Sequence, residues 1–309
     1  MNYPLVTIMT LMYNTKASYV IEGIQSVIRN GYPNVEHIFI DDCSPDQSYS
    51  IEVERWIKEN NYPCIFIRNE FNQGVSKNLN DIIRIAKGKY LIGCCDDILA
   101  DNRIFKDVEL FESLPNDYAV IVGYSQSIDA DGHLLPIISP NPPRPKDDNF
   151  FNYLIKDNII PGPATTTKRS ILESIGGYSV GILPEDYDLW LRLSYQGFKF
   201  KVRPEILIYY RVLSTSLSNH PKLYIDVFRV KAKFPDRINL KFFLDSELKN
   251  MLIRGEKDRC QEIIGFYKNQ FPNSMFIKLV EIVRFKIIRL ILLNCKYFIG
   301  TINQKVVKI

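Results

Sequence analysis

The chain lacks any cysteine pattern that would hold a metal ion or a disulfide framework. Its six cysteines, Cys43, Cys64, Cys94, Cys95, Cys260 and Cys295, have neither ligand spacing nor a regular repeat. The adjacent Cys94 and Cys95 close a predicted strand and read as reduced small hydrophobes, which fits a cytoplasmic setting. No Lys/Arg run in the first 240 residues could track a phosphate backbone, and a net charge of +4 is mild, so nucleic acid is excluded as a partner. The apolar stretch Leu5–Met12 lacks the basic flank and small-residue cleavage site of a secretory leader, and a buried first strand accounts for it better. The next five residues, Tyr13-Asn14-Thr15-Lys16-Ala17, lack the glycine-rich basic loop expected of a nucleotidyltransferase. A bilayer-spanning run is also missing. Within Phe276–Ile302, Lys278, Glu281, Arg284, Lys286, Arg289 and Lys296 interrupt the apolar residues.

With 46% hydrophobic and 24% charged residues, 309 residues can hold one large α/β domain and a smaller appendage. The first hundred residues alternate strand and helix. Strand-like runs at 5–12, 36–40, 64–68 and 89–95 are separated by helical periodicity at 18–30, 50–60 and 76–86. That order predicts a mainly parallel sheet with right-handed crossovers, whose ligands sit at the carboxyl ends of the strands. The proline-rich stretch 139–145 cannot be helix interior and is read as a link to a second half. Beyond Gly197 come strand-like runs 199–203 and 205–212, and from about residue 222 the pattern turns helical.

Acidic doublets stand at informative places. Asp41-Asp42 and Asp96-Asp97 each come directly after an apolar strand, which puts two acid pairs on one edge of the sheet. Two carboxylates at a strand end, with no basic residue nearby in sequence, suit a hard divalent cation bridging phosphate oxygens. A third doublet, Glu185-Asp186, lies beyond the turn Gly176-Gly177-Tyr178 and opens a helical run through Asp188, Leu189 and Trp190. Its carboxylates could take a proton from a nucleophile. Metal and phosphate at one place and a base at another describe group transfer from an activated phosphate donor.

These residues resemble the family 2 glycosyltransferases of GT-A fold over about residues 4–217. The resemblance lies in Val6–Asn14, Ile38–Ser44, Asn72-Gln73-Gly74 with Asn80, Ala86–Tyr90 and Glu185–Trp190, five motifs in order. It implies a Rossmann-like α/β fold, a mixed and mainly parallel sheet flanked by helices, with a donor half at about 1–100, an acceptor half at about 101–217 and a helical region at 218–309. It implies a UDP-sugar donor, with Asp42 on the uracil ring and Thr10, Tyr13, Asp41, Lys77, Asn80 and Asp96 around the nucleotide. Asp97 with Asp96 would bind Mg²⁺ or Mn²⁺. Asp186 would be the base of an inverting displacement, with Glu185 and Asp188 in reserve. Trp190 and Pro163 would lie on the acceptor side, Trp190 either packing beneath the site or stacking on sugar.

The pattern departs from the family at three places. Cys94 stands where the first motif aspartate is usual. Leu79-Asn80 replaces an Arg-Asn pair, leaving Lys77 as the nearby cation. Leu213 comes after Tyr210-Arg211-Val212 where a metal-ligating histidine is common, with His220 seven residues on. These departures motivate a competing reading, a non-catalytic relative that binds nucleotide sugar or glycan as an assembly partner. The retained acid pairs favour the enzyme. On a helical wheel the charges of 276–302 gather on one side, so this segment either lies on an anionic membrane surface or packs on the protein with its basic face solvated. The membrane alternative would bring the enzyme to the inner face of the plasma membrane and to polyprenyl-diphosphate-linked glycans, as in the assembly of a surface polysaccharide or lipopolysaccharide.

Overall fold

The computed structural model describes residues 3–139, 150–213, 223–254 and 257–273. The chain divides into two compact units, Met1–His220 and Pro221–Ile309. The larger one starts as the alternation predicts: β1 (Val6–Met12), α1 (Ala17–Arg29), β2 (Val35–Asp41), α2 (Ser48–Glu59), β3 (Ile65–Arg68), α3 (Val75–Ile85) and β4 (Tyr90–Gly93). These strands run parallel in the order β3-β2-β1-β4. The apolar runs of β1, β2 and β4 are largely buried on both faces, as a parallel sheet between helices requires, while β3 at the edge is partly exposed. Helix α1 turns Val20, Ile24 and Val27 inward. It passes so close to the loop after β4 that a Cβ on Gly23 would lie 3.1 Å from the Asp97 carbonyl oxygen.

Residues 98–139, which the sequence leaves without clear periodicity, supply β5 (Ile98–Leu99), α4 (Arg103–Ser113), β6 (Tyr118–Ile128) and β7 (Leu134–Ser139). Next come α5 (Phe151–Leu154), a 3₁₀ turn at Gly162–Ala164, β8 (Thr165–Lys168), α6 (Arg169–Ser174), α7 (Glu185–Tyr195) and β9 (Lys199–Arg211). The sheet continues from β4 as β8-β6-β9-β5, with β7 on β6. Here the pairing is mixed: β8 is antiparallel to β4 and β6, and β9 is parallel to β6. The two strand-like runs after Gly197 are one strand. Pro204 sits in it without a break because the register with β6 slips between Val122 and Tyr124, so no ladder hydrogen bond is asked of its missing N–H.

The smaller unit, α8 (Leu223–Lys231), α9 (Leu240–Arg254) and α10 (Lys257–Gln270), closes around Ile225, Phe228, Leu244, Leu248, Met251, Ile263 and Tyr267. The Tyr267 hydroxyl donates to Asp245. Among the described residues no helix is long and apolar enough to cross a membrane. The basic amphipathic segment 276–302, His220 and nearly all of the proline-rich link lie outside the described residues.

One glycine shows how tightly the entry to β4 is built. Glu36 Oε1 accepts from the Lys87 and Gly88 amides and from the Thr7 hydroxyl. A Cβ on Gly88 would sit 2.5 Å from the Thr7 amide nitrogen, inside backbone that cannot yield. Gly88→Ala should therefore cost about 1–3 kcal/mol by overpacking, read as a lower urea midpoint at unchanged slope.

Candidate active site

The strand register gathers the acidic motifs. Met12 pairs with Asp41, and Met9 with Gly93, so the carboxyl ends of β1, β2 and β4 lie along one edge. Tyr13, Asp41-Asp42 and Asp96-Asp97 stand at or just beyond those ends. β8 runs the other way, with Thr166 opposite Ile92, so the Gly162–Ala164 turn before it stands level with the residues just after Gly93. A Cβ on Gly162 would lie 2.7 Å from Asp186 Oδ2, which brings the α7 acid pair to that same edge.

The two acids at the end of β2 hold the local chain. Asp41 is fully buried, its Oδ1 accepting from the Ser44 amide and hydroxyl and its Oδ2 from the Ser50 hydroxyl at 2.8 Å, with Arg68 Nε 3.3 Å away. That is an Asx-type turn tied to α2. Asp42 accepts from the Asn69 side chain and the Gln73 and Gly74 amides, each at 2.8 Å. Burial pushes its pKa up, but these donors and Asn78 outweigh burial and hold the carboxyl below its ordinary range. Its oxygens thus fix the loop 69–74 and the start of α3.

Several side chains expected around the nucleotide are engaged elsewhere. The Thr10 hydroxyl is buried, donating to the Cys94 carbonyl and lying 2.9 Å from His37 Nε2, so it braces the sheet from within. Lys77 donates to both oxygens of Asp81 at 2.7 Å, one helical turn on. Asn80 bonds both backbone groups of one residue: it donates to the Tyr178 carbonyl at 2.9 Å and accepts from the Tyr178 amide at 2.8 Å. Tyr13, 53% exposed, stands open at the edge.

Asp96 and Asp97 are organised by Arg211, whose side chain is fully buried. The Arg211 amide donates to Asp97 Oδ1 at 2.8 Å and Nε to the Asp96 carbonyl at 3.0 Å. Nη1 reaches the carbonyls of Asp129 and Ala130, Nη2 pairs with Glu22, and the guanidinium lies 4.3 Å from the Tyr19 ring centroid. Burial raises Asp96. It pushes Asp97 up to about 8, with the Asp96 charge adding and Arg211 opposing. Two carboxyl groups whose ionisation the protein leaves under-compensated suit a divalent cation. A second group of possible ligands, Asp129, Asp131 and His133, lies on the β6–β7 turn within a span of 4.8 Å. Its contacts are those of a tight turn, with Asp129 Oδ1 accepting from the Asp131 and His133 amides.

At the start of α7, burial pushes Glu185 up to about 8, with Asp186 adding. Burial raises Asp186 to about 6 against the Tyr187 amide and the Asn158 side chain. Asp188 differs from both. It is buried against Arg192 Nε at 2.8 Å and the Ser179 hydroxyl at 2.6 Å, while Arg192 also donates to the carbonyls of Ile175 and Gly177. Asp188 therefore ties α7 to the glycine turn and is withdrawn as a reserve base. Trp190 is 1% exposed and packs edge-on to Phe200, its Nε1 without a hydrogen-bond partner among the described residues, so it is core and no sugar platform. Pro163 stands in the 3₁₀ turn, its carbonyl accepting from Arg103.

Three contributors carry no sequence motif of their own. Arg211 stands out in the sequence only as neighbour to an absent histidine. Gly162 makes the space that Asp186 fills. Arg103, buried with Asp107 and Arg203, donates to the carbonyls of Pro163, Thr165 and Leu207 and so sets the turn that faces Asp186. The only sequence signal for such a set is charge inside otherwise apolar segments.

Comparison with known proteins agrees with this architecture. An uncharacterised glycosyltransferase of Methanocaldococcus jannaschii is 28% identical over 213 residues, 69% of this chain and 72% of that protein. Two Rickettsia glycosyltransferases are matched over 66% of their length. The Escherichia coli UDP-Glc:alpha-D-GlcNAc-diphosphoundecaprenol beta-1,3-glucosyltransferase WfaP is 27% identical over 218 residues, 69% of this chain and 80% of its own. Among solved structures, S. aureus TarS 1–349 in complex with UDP-GlcNAc superposes with a TM-score of 0.56 at 18% identity, over 87% of this chain and 73% of that one, a likeness of GT-A fold. The model of glycosyl transferase family 2 matches residues 7–176, from β1 through the glycine turn. The chain belongs to glycosyl transferase family 2.

Proposed function

We propose that the protein is an inverting transferase that moves a hexose or N-acetylhexosamine from a UDP-sugar to a glycan hydroxyl during surface polysaccharide assembly. The observation that carries this is the meeting, on one sheet edge, of two acid pairs whose charge the fold leaves under-compensated. The donor class is supported by the names of two similar proteins, WfaP with UDP-Glc and TarS with UDP-GlcNAc. A polyprenyl-diphosphate-linked acceptor is supported by the diphosphoundecaprenol in the name of WfaP. A peripheral contact with the inner face of the plasma membrane, through the basic segment 276–302, would bring the enzyme to such an acceptor.

Asp186 is the base. Its Oδ2 packs against Gly162, and the acid is only partly buried, which leaves it reachable by a hydroxyl. It takes the hydroxyl proton as the oxygen attacks the anomeric carbon. The bond from that carbon to the diphosphate breaks, and its electron pair leaves on the phosphate oxygen. One displacement inverts the centre. Glu185, beside it, stays protonated to higher pH and keeps a second negative charge away from the base. Asp96 and Asp97 would hold Mg²⁺ or Mn²⁺, and their shortage of protein cations fits such an ion. When bound, it supplies neutralisation of the departing diphosphate. Tyr13 would flank the nucleoside, and Asp42 keeps the loop 69–74 in place beneath it.

Asp186→Asn should lower transfer by about 10²–10⁴-fold with UDP affinity unchanged, compared by UDP release and calorimetry. Loss of nucleotide binding instead would remove Asp186 from the base role.

The pH dependence has a definite sign. With Asp186 at about 6, the rate should climb about tenfold per pH unit below that value and level off above it. Stability runs the other way: a carboxyl raised by folding contributes below its ordinary pKa and loses that contribution as pH rises through about 6. Melting curves at pH 5 and pH 8 should therefore show Asp186→Asn gaining on the wild type at the higher pH.

Asp97→Ala should abolish the gain in UDP affinity that manganese brings. Equal affinity in variant and wild type, with metal and with chelator, would overturn the assignment.

A further inference from the structure

Asn80 joins the two halves of the larger unit. It sits in α3, whose preceding residue Gly74 is held by Asp42 at the nucleotide side. Its side-chain amide closes both backbone groups of Tyr178. Tyr178 belongs to the turn that leads into α7, is 8% exposed, and has its hydroxyl raised by burial and by the charges of Glu185 and Asp186. The other side of the turn is fastened to α7 by Arg192, through the carbonyls of Ile175 and Gly177, and by Asp188 through Ser179. Gly177 takes φ +70, and a Cβ there would run into Asn80 Oδ1. Only glycine lets the clamp close.

Asp42 thus holds Gly74 at the start of α3, Asn80 of the same helix holds Tyr178, and the turn around Tyr178 is tied to α7 by Arg192 and by Asp188 through Ser179. An amide that bonds both the N–H and the carbonyl of one residue holds the two peptide units that flank it, which one bond would not do. We infer that Asn80 is a positioning residue that holds Tyr178 and the base-bearing start of α7 in place against the nucleotide half, an inference that rests on Asp186 being the base.

The test uses the full chain as wild type, Asn80→Leu, Gly177→Ala and Asp186→Asn. UDP binding with manganese is measured by calorimetry, and UDP release from UDP-glucose is followed from pH 5 to pH 8. Asn80→Leu should bind UDP within about twofold of the wild type, lose about 10²-fold in kcat at unchanged KM for the donor, and move the acid limb of the pH profile. Gly177→Ala, which crowds the clamp from its other side, should do the same. Hydrogen exchange gives a readout independent of the donor: peptides from 175–187 should exchange faster in both clamp variants, with 69–76 unchanged.

A tenfold loss of UDP affinity in Asn80→Leu would make Asn80 a nucleotide contact and overturn the inference. So would wild-type kcat and pH limb, or unaltered exchange at 175–187. Wild-type turnover in Asp186→Asn would sink the base reading itself, and the inference with it. Loss of turnover in Asp186→Asn with normal turnover in Asn80→Leu sinks only the inference.

Discussion

The buried guanidinium of Arg211 is the interaction on which the candidate site depends. It comes from the last residue of β9 and gathers the loop after β4, the β6–β7 turn and α1, elements far apart in sequence. An arginine with no exposed side chain remains charged and must find partners for its donors. Here most are backbone carbonyls, which satisfy hydrogen bonds without cancelling charge. The cation therefore moderates Asp96 and Asp97 without neutralising them, and burial still lifts both acids. Had Arg211 formed a bidentate pair with either carboxylate, that acid would be held low and less available to a metal ion.

A second buried charge set shapes the opposite wall. Asp107 accepts from Arg203 and the Thr166 hydroxyl and lies 3.4 Å from Arg103 Nε, while Arg103 spends its remaining donors on the carbonyls of Pro163, Thr165 and Leu207. Buried ion pairs add little net stability, because desolvation offsets attraction. Their effect here is directional: the planar fork of Arg103 admits few placements of the 162–165 turn, and that turn faces Asp186. Arg211 thus places one acid pair and Arg103 the surface opposite the other.

How much of this the sequence discloses depends on the physical origin of each element's pattern. β1, β2 and β4 are parallel strands buried on both faces, so they appear as continuous apolar runs with acids at their ends. β8 reads Thr165-Thr166-Thr167-Lys168, which looks like a loop, yet all four residues are buried. The Thr166 hydroxyl is satisfied by Asp107, 59 residues upstream, and no local pattern announces that partner. The acidic motifs are legible for the same reason the strands are: they stand where an apolar run stops. Their division of labour is not legible, because Asp41, Asp42 and Asp188 look like Asp97 and Asp186 in one dimension. The motifs put Thr10, Lys77, Asn80 and Trp190 near the right edge, but Thr10 and Asn80 bond to neighbours that only the fold supplies, Lys77 pairs with Asp81 one helical turn on, and Trp190 is core.

That division has a common physical basis. Asp41, Asp42, Asp107 and Asp188 are buried, and each is surrounded by donors or cations: hydroxyls and an amide around Asp41, amides around Asp42, guanidinium groups beside Asp107 and Asp188. These acids are spent on the fold, and a ligand would have to displace bonds already made. Asp97 is buried as well, and Asp96, Glu185 and Asp186 are partly so, but here burial wins over their few donors. An acid in that condition gains by taking up a proton or a cation, and those are the two tasks a displacement at a sugar diphosphate requires. Under the proposed function, one pair would accept a divalent ion with its phosphates, and the other a proton from the attacking hydroxyl. The fold keeps the two demands apart by giving each pair its own rigid element, the end of β4 and the first turn of α7, and brings them to one edge through the antiparallel entry of β8.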